Sequence, residues 1–339
     1  MTRILLAGDA FVRNADLAAA LAERVSGPLE YEQVAGDWPY RPFGKVAEVD
    51  EASDNEDAVL AAIDGVEIAI TQMAPFTERV IAAADALRLI VCCRGGPVNI
   101  NLAAAARRGI AVANAPGRNA AAAAEHCVAL LMAALRRIPY VHDSLAAGQW
   151  RQDLYAYDEC GSEIDGSTVG LIGYGAIGRR VARTLRALGA TVLVYDPYLT
   201  GDPGDVTVVA ELAELLSRSR IVSLHARLTD ANRHMIDAAA LARLPRGAVL
   251  VNTARGGLLD YPALCDALDS GQLAAAALDV FDAEPVPAGS RLLTTPNLVF
   301  TPHLAGATRQ TAHRAASMAA EDVARYLAGE PLAHPVPLP

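Results

Sequence analysis

Short apolar runs alternate with longer stretches in which apolar residues recur at helical spacing, and this alternation extends over most of the chain. The runs hold mostly aliphatic and β-branched residues, which is typical of buried strands. Strands are predicted over residues 4–7, 67–71, 87–92, 168–172, 191–195, 221–224, 248–252, 276–280 and 298–301. Because strands that alternate with helices usually pair in parallel, the pattern predicts an α/β fold with helices on both faces of its sheets.

The predicted strands fall into two groups, separated by a helical stretch over 119–137 and a loop over 148–167. Because one hydrophobic core is seldom enough for 339 residues, we predict two domains, with the second sheet beginning at Thr168. A final helix, predicted over 307–328, follows the last strand, a position from which it can return to the first domain.

Composition and charge exclude several kinds of partner. Hydrophobic residues make up 53% of the chain and charged residues 20%, which is typical of a globular protein. A net charge of −10 repels the phosphates of nucleic acids and anionic lipid head groups, so neither nucleic acid nor a membrane is an expected partner. The sequence shows no signal peptide and no apolar run long enough to span a bilayer, which predicts a cytoplasmic protein.

Cysteine and lysine usage narrows the chemistry further. The five cysteines form neither a CxxC pair nor a Cys/His cluster with metal spacing, so we predict reduced thiols and no metal site. Lys45 is the only lysine, and it follows Gly44. Val46 comes next and Pro39 replaces the first glycine of a phosphate-binding P-loop, so a P-loop is excluded. Lys45 also lies in a proline-flanked segment that is unsuited to a pyridoxal phosphate site.

A glycine-rich turn follows the strand predicted at 168–172. Gly173, Gly175 and Gly178 have the GxGxxG spacing, and an apolar-periodic helix begins within the motif. In a dinucleotide-binding turn the first glycine permits the bend, the second lets the backbone approach a pyrophosphate, and the third lets the helix pack closely on the strand. The backbone amides of Ala176 and Ile177, at the positive end of the helix, then receive the phosphate charge.

An acidic residue lies at the position where a dinucleotide-binding site binds the adenine ribose. The next predicted strand is followed by Asp196, 18 residues after Gly178. A carboxylate at this position accepts hydrogen bonds from the adenine ribose and repels the additional phosphate of NADP. No arginine follows immediately to neutralise it, so NAD is the predicted cofactor. The alternative is a glycine turn that binds no ligand.

Three polar residues near the predicted strand ends suit the reduction of a 2-oxo acid, which needs a cation for the carboxylate and a proton donor for the developing alkoxide. Arg255 follows the strand at 248–252, and its planar guanidinium matches a carboxylate. His303 follows the last strand, and imidazole titrates near neutral pH. Glu284 can hydrogen-bond that imidazole and raise its pKa. Taken singly, each is also compatible with a solvated surface charge.

Four ordered motifs together are more specific. They read GLIGYGAIG (170–178), VNTARGGLLD (251–260), ALDVFDAEP (277–285) and TPHLAG (301–306). They resemble the successive signatures of the D-2-hydroxyacid dehydrogenase family, to which phosphoglycerate, glyoxylate/hydroxypyruvate and D-lactate dehydrogenases belong. The implied activity is hydride transfer between NAD and C2 of a small D-2-hydroxy acid or 2-oxo acid.

The resemblance also implies an architecture of two Rossmann-like domains with parallel sheets. One is a flavodoxin-like, discontinuous substrate domain over 1–115 and 306–339, and the other is an NAD-binding Rossmann domain over 116–305. The two are expected to hinge, so that closure of the cleft excludes water. The region around 119–125 and the following helix resembles the dimer-forming region of the family, which implies a homodimer.

Residue roles follow from the same resemblance. It implies that Arg255 binds the substrate carboxylate and carbonyl, that His303 transfers the proton, and that Glu284 pairs with His303. Asp279 is expected at the nicotinamide end of the cofactor. The remaining positions expected to line the cofactor are His225, Ala226, Thr253, Ala254, His303 and Gly306.

Two segments depart from the family pattern. The loop after the strand at 87–92 reads CCRGGPVNIN, and in it Arg94, Gly95 and Gly96 are the expected substrate-binding residues. Val98 stands where the family usually has an acidic residue. We hypothesise that Arg94 reaches a second anionic group of the substrate; the alternative is an arginine tied to local carbonyls or to an acidic side chain. Arg227 replaces a proline of the cofactor loop, and it either reshapes that loop or points to solvent.

Two functional alternatives stay open. Within the family, one alternative is oxidation of a phosphorylated hydroxy acid, as by phosphoglycerate dehydrogenase. The other is reduction of glyoxylate or hydroxypyruvate. In a different class, some relatives act in transcriptional corepression, so an NAD-sensing interaction protein is the second hypothesis. The complete set of Arg255, Glu284 and His303 favours an enzyme.

Overall fold

The computed structural model describes residues 1–339, which form fourteen strands, eleven α-helices and four short 3-10 turns. In chain order the strands are β1 (Thr2–Asp9), β2 (Leu29–Gly36), β3 (Gly44–Val46), β4 (Val49–Ala52), β5 (Ile68–Thr71), β6 (Leu89–Cys92), β7 (Ala111–Ala113), β8 (Thr168–Ile172), β9 (Thr191–Tyr195), β10 (Thr207–Val208), β11 (Ile221–Leu224), β12 (Ala248–Asn252), β13 (Leu273–Leu278) and β14 (Leu298–Phe300). The α-helices are α1 (Asn14–Arg24), α2 (Glu56–Ala62), α3 (Glu78–Ala83), α4 (Leu102–Arg107), α5 (Ala120–Leu135), α6 (Ile138–Ala146), α7 (Ala176–Ala187), α8 (Leu212–Arg218), α9 (Ala238–Arg243), α10 (Tyr261–Asp269) and α11 (Arg309–Leu327). The 3-10 turns are Gln152–Tyr155, Asp230–Asn232, Gly256–Leu258 and Arg291–Leu293.

Unit 1 comprises Met1–Asn119 and Ala307–Pro339 and is built on a five-stranded parallel sheet. The strand order is β2-β1-β5-β6-β7, which is the flavodoxin-like order once the small antiparallel hairpin β3-β4 is set aside. The central strands bury side chains on both faces, so their sequences are almost continuously apolar. Helices α1 and α11 cover one face, and α2, α3 and α4 cover the other.

Unit 2 comprises Ala120–Gly306 and contains a seven-stranded parallel sheet. The strand order is β10-β9-β8-β11-β12-β13-β14, the Rossmann arrangement in which the order reverses beside β8. Helices α5 and α7 pack on one face, and α8, α9 and α10 pack on the other. Because all strands run in parallel, the loops that follow β8, β11, β12, β13 and β14 emerge at the same edge of the sheet.

These sheets confirm the predicted fold class, and β8 begins at Thr168 as predicted. Several predicted boundaries were wrong. The strand predicted over 276–280 is β13, which begins at Leu273 and ends at Leu278, and the helix predicted over 119–137 is α5, which ends at Leu135. Strands β2, β3, β4, β7 and β10 were not predicted. No helix is both long enough and apolar enough to cross a lipid bilayer.

Candidate active site

The glycine motif forms the turn between β8 and α7 in unit 2. Gly173 has a φ of +93°, and a Cβ atom there would lie 2.6 Å from a backbone nitrogen of the loop after β11. A Cβ atom on Gly178 would lie 2.5 Å from the carbonyl oxygen of Gly173, so only glycine lets α7 approach the turn. Gly175, by contrast, has open space at its Cβ position. This opening lies beside Ala176 and Ile177, the first residues of α7, where the motif predicts the pyrophosphate.

The carboxylate of Asp196, just after β9, links two backbone segments. Its Oδ2 accepts a hydrogen bond from the amide of Tyr174 within the glycine turn (2.8 Å), and its Oδ1 accepts one from the amide of Tyr198 (3.0 Å). Each carboxylate oxygen can accept a second hydrogen bond. Asp196, which is half-buried, therefore retains acceptor capacity for ribose hydroxyls.

Two other residues expected to line the cofactor lie at the ends of β11 and β12. The ring of His225 is bonded through Nε2 to the hydroxyl of Ser223 (3.0 Å), and burial lowers the pKa of His225 to about 4, so its ring is neutral at pH 7. Thr253 is 8% exposed, and its hydroxyl has no hydrogen-bond partner within the protein. Buried hydroxyls are usually hydrogen-bonded, so that of Thr253 is a candidate to bond a ligand.

Arg255 follows β12 on a turn that the buried side chain of Asn252 organises. Asn252 accepts a hydrogen bond from the amide of Ala254 (3.0 Å) and donates one to the carbonyl of Arg255 (3.0 Å). A Cβ atom on Gly256 would clash with the carbonyl of Phe281, so glycine lets this turn pack directly on the loop that follows β13. The exposed guanidinium of Arg255 donates to the carbonyl of Ala254 (2.6 Å) and forms no ion pair.

Glu284 and His303 form a hydrogen-bonded pair. Nδ1 of His303 lies 2.8 Å from Oε2 of Glu284, and the other carboxylate oxygen accepts a hydrogen bond from the amide of Phe281 (2.9 Å). The side chain of His303 is 51% exposed, and its Nε2 atom has no protein partner. The structure therefore brings these two predicted residues together and leaves one imidazole nitrogen open to a ligand.

This pair shifts the pKa values of both members. The hydrogen bond to Glu284 raises the pKa of His303 above its ordinary value of 6.5, although burial opposes the rise. Burial alone would raise the pKa of Glu284, but the hydrogen bond and positive charge of His303, together with the charge of Arg255, lower it overall. The positive charge of Arg255 thus acts to lower the pKa of both groups. The pair as a whole favours an imidazolium beside a carboxylate.

Asp279, at the end of β13, is completely buried. Its carboxylate accepts hydrogen bonds from the amides of Leu304 and Ala305 (2.8 Å each) and from the hydroxyl of Thr301 (2.6 Å). Asp279 therefore anchors the loop that carries His303, and its expected contact with the nicotinamide stays a prediction. The same loop ends at Gly306, the last residue of unit 2.

In unit 1 the residues expected to bind the substrate follow β6. The guanidinium of Arg94 forms an ion pair with Glu51 and also contacts the sulfur of Met73 (3.0 Å). Its charge is thus already balanced by a local acidic side chain. Gly96 has open space at its Cβ position, whereas a Cβ atom on Gly95 would lie 4.0 Å from the carbonyl oxygen of Ala115, so the backbone of this loop is accessible at Gly96.

Three residues that support the site were not predicted from the sequence. Asn252 shapes the turn of Arg255, Thr301 bonds Asp279, and His126 on α5 bonds Thr301 (2.9 Å). Asn252 and Thr301 lie inside the motifs at 251–260 and 301–306, and this position was the sequence signal that could have indicated their roles. His126 and Thr301 are 175 residues apart, so no local pattern indicates their contact. Arg227 is exposed, in keeping with the interpretation that it points to solvent.

A glycine turn at the point where the strand order of a Rossmann sheet reverses, followed by an acidic residue after the next strand, defines a dinucleotide-binding unit. The chain belongs to the D-isomer specific 2-hydroxyacid dehydrogenase family, whose NAD binding domain matches residues 128–305. This match confirms NAD as the cofactor predicted from the glycine turn and Asp196.

Relatives of known activity include two different dehydrogenase types. The D-3-phosphoglycerate dehydrogenase of Mycobacterium tuberculosis is 39% identical over 281 residues, which cover 81% of this chain and 52% of the relative. The glyoxylate reductase of Korarchaeum cryptofilum is 36% identical over 284 residues, which cover 83% of this chain and 86% of the relative. The chain spans about half the length of the phosphoglycerate dehydrogenases that it matches.

Solved structures resemble the chain along nearly its whole length. The TT0316 protein from Thermus thermophilus is similar with a TM-score of 0.80 and 32% identity, covering 99% of this chain and 100% of that one. The NAD-dependent formate dehydrogenase of Staphylococcus aureus, solved in complex with NAD, is similar with a TM-score of 0.76 and 27% identity, covering 98% of this chain and 96% of that one.

Proposed function

We propose that the protein is an NAD-dependent dehydrogenase that transfers a hydride between the nicotinamide and C2 of a small D-2-hydroxy acid or its 2-oxo acid. The observation that carries this proposal is the Glu284–His303 pair at 2.8 Å, in a site where Arg255 has no carboxylate partner. A proton donor and a free cation are the groups that reduction of a 2-oxo acid requires.

Unit 2 fits NAD on two observations. The open space at Gly175 adjoins the first amides of α7, and a helix N-terminus favours a pyrophosphate. The buried hydroxyl of Thr253 lacks a partner, which a ligand can supply. Asp196 would hold the ribose hydroxyls. When bound, NAD supplies the hydride acceptor or, as NADH, the hydride donor.

Three side chains of this site have separate roles in the reduction of a 2-oxo acid. Arg255 binds the carboxylate of the oxo acid and polarises its C2 carbonyl. His303, as the imidazolium, donates the proton on Nε2 to the carbonyl oxygen, so that the C=O group gains one hydride and one proton and becomes CH–OH. Glu284 orients the ring through Nδ1 and stabilises its positive charge. In the oxidation direction the neutral imidazole takes the same proton back.

Turnover of a substrate panel tests this proposal. Glyoxylate, hydroxypyruvate, pyruvate and phosphohydroxypyruvate are each offered with NADH, and D- and L-2-hydroxy acids with NAD, while the absorbance of the reduced nicotinamide is followed. We expect turnover of at least one oxo acid and of D- but not L-hydroxy acids. If no acid is turned over although NADH quenches the protein fluorescence, the proposal is wrong and an NAD-sensing interaction protein is the better interpretation.

Glu284 determines the pH range in which His303 works. Replacing it by glutamine weakens the hydrogen bond and removes the negative charge that together raise the pKa of His303, but it keeps a carbonyl that can accept from Nδ1. Reduction needs the protonated ring, so its rate falls as pH rises through this pKa. We therefore expect the alkaline limb of kcat/KM for reduction to move to lower pH in Glu284→Gln.

Asp282→Asn is a matched control, because Asp282 is a neighbouring acidic residue that pairs with Arg233 and is not among the main groups that shift the pKa of His303. Its alkaline limb should coincide with that of the unmodified protein. An unchanged limb in Glu284→Gln would show that His303 is not the titrating donor.

The ion pair of Arg94 indicates whether the substrate carries a second anionic group. Because Glu51 already balances the guanidinium, we infer that Arg94 does not bind a second anionic group. This favours an unphosphorylated acid such as glyoxylate or hydroxypyruvate over a phosphorylated one.

Arg94→Ala is accordingly expected to change kcat/KM by the same factor for phosphorylated and unphosphorylated acids. Glu51→Gln is the complementary variant, since it frees the guanidinium without removing it, and it should improve the phosphorylated acid selectively. A loss in Arg94→Ala that is about tenfold greater for the phosphorylated acid would restore the hypothesis that Arg94 reads a phosphate.

We further propose that unit 2 forms a homodimer through residues 138–157. Helix α5 buries ten of its sixteen residues, so it offers little free surface. Exposed large apolar side chains concentrate in the segment that follows it, namely Ile138, Tyr140, Leu145, Trp150, Tyr155 and Tyr157. Such a concentration is typical of a protein–protein interface.

Replacing Leu145 and Trp150 together by glutamate should convert the dimer to a monomer, because each charge would have to be desolvated in the interface. Light scattering coupled to size-exclusion chromatography measures the mass. Tyr40→Glu, which alters an exposed aromatic residue of unit 1, should leave the mass unchanged. A monomeric unmodified protein would contradict this proposal.

A further inference from the structure

The backbone of His303 has a conformation that most side chains avoid. Its φ is +56°, in the left-handed region, where an L-residue other than glycine is strained unless its surroundings hold it. The amide of His303 donates to the carbonyl of Asp279 (2.8 Å), and the next two amides, of Leu304 and Ala305, donate to the two carboxylate oxygens of Asp279. Three consecutive amides thus bind one residue, which fixes the position of the imidazole.

Asp279 can hold this loop only if its carboxylate is itself held. It is completely buried, and a buried carboxylate is stable only when donors satisfy it. Besides the two amides, its donor is the hydroxyl of Thr301, 2.6 Å from Oδ1. Thr301 therefore completes the environment of the anchoring group.

The hydrogen bonds of the Thr301 hydroxyl determine which nitrogen of His126 carries a proton. A threonine hydroxyl has one proton, and that of Thr301 is used on Asp279, because an ionised carboxylate can only accept. Nε2 of His126 lies 2.9 Å from the same hydroxyl oxygen and 3.5 Å from Oδ1 of Asp279. Since the hydroxyl has only lone pairs left to offer, Nε2 of His126 carries a proton and donates it to Thr301.

His126 comes from a well-packed part of unit 2. It lies on α5, whose neighbouring residue Cys127 is buried in the core, while the side chain of His126 is 26% exposed. The donor is therefore fixed by a helix that packs on the sheet, and it reaches the loop of His303 from outside that loop.

We propose that His126 is a positioning residue for His303, acting through a chain of hydrogen bonds from His126 to Thr301, from Thr301 to Asp279, and from the loop amides to Asp279. This inference rests on the proposed function, since it assigns a support to the proposed proton donor. His126 touches neither substrate nor cofactor in this role. It orients Thr301, which keeps the carboxylate aimed at the two amides.

The test combines His126→Leu, which removes the donor, with His126→Gln, whose amide can still donate to Thr301, and with Thr301→Val, which removes the relay. We expect kcat/KM to fall about tenfold in His126→Leu, the cost of one lost, partly buried hydrogen bond, and to recover largely in His126→Gln. Thr301→Val should lose at least as much. The double variant His126→Leu/Thr301→Val should be no worse than Thr301→Val alone, because His126 acts through Thr301.

A second measurement does not depend on activity. In the protein without cofactor, amide hydrogen exchange of the peptide that covers residues 300–306 should be faster in His126→Leu and Thr301→Val and unchanged in His126→Gln. His313→Leu, at an exposed histidine on α11, is the matched control and should alter neither readout. Multiplicative losses in the double variant, or equal exchange in all variants, would overturn the inference. Inactivity of the unmodified protein would instead overturn the proposed function, and the exchange result would still stand.

Discussion

Replacing His303 by asparagine should lower kcat/KM for reduction by about 10²- to 10⁴-fold, the usual contribution of a general acid. Asparagine cannot donate a proton of suitable acidity, and the open Nε2 position is the only titrating donor that the pair with Glu284 presents. Asparagine is also suited to the φ of +56° at this position, so the loop should keep its conformation. The loss is then chemical and not structural.

Steady-state rates and NADH binding separate these two effects. The dissociation constant for NADH, measured by fluorescence quenching, should stay within about twofold, and the alkaline limb of the pH profile should disappear. His313→Asn makes the same substitution at an exposed histidine of α11 and should be fully active. If His303→Asn keeps more than about a tenth of the activity, the proton comes from another group.

The sequence predicted the interior of both sheets better than their margins, for a physical reason. Central strands such as β8 and β12 are buried on both faces, so their apolar runs are continuous. Strand β2 lies at the edge of its sheet and buries only Val34, and its polar residues, such as Glu30 and Glu32, break the apolar pattern. Strand β7 has only three residues, and two of them are alanine. Such strands are defined by their neighbours more than by their own sequence.

The candidate site, too, was predictable only in those parts that local sequence determines. The glycine positions were predictable because their spacing is set by local geometry, such as the close approach of Gly178 to the carbonyl of Gly173. The burial of Asp279 and the ion pair of Arg94 depend on residues far away in the chain. Glu51, which pairs with Arg94, is 43 residues away, and no motif connects the two. Spacing therefore indicated which residues take part, whereas the three-dimensional contacts show how each one is held or neutralised.

Arg255 combines two requirements that a simple positive charge does not meet. It must present two parallel N–H donors to the substrate carboxylate, and it must remain unpaired until the substrate arrives. The turn satisfies the second requirement, because Asn252 and Gly256 fix the backbone while the guanidinium contacts only the carbonyl of Ala254. A paired arginine such as Arg94 would first have to break its ion pair.

We therefore expect Arg255→Gln to lower kcat/KM by roughly 10³-fold, because two charge-assisted hydrogen bonds are lost at once. Arg255→Lys should recover only part of this, since an ammonium cannot form the bidentate contact. The loss should appear in both KM for the oxo acid and kcat, because the guanidinium binds the carboxylate and polarises the carbonyl. Arg243→Gln and Arg243→Lys, at an exposed arginine of α9, are the matched controls and should behave like the unmodified protein. Full recovery by lysine would mean that Arg255 contributes charge alone, and an unaffected Arg255→Gln would place the substrate carboxylate elsewhere.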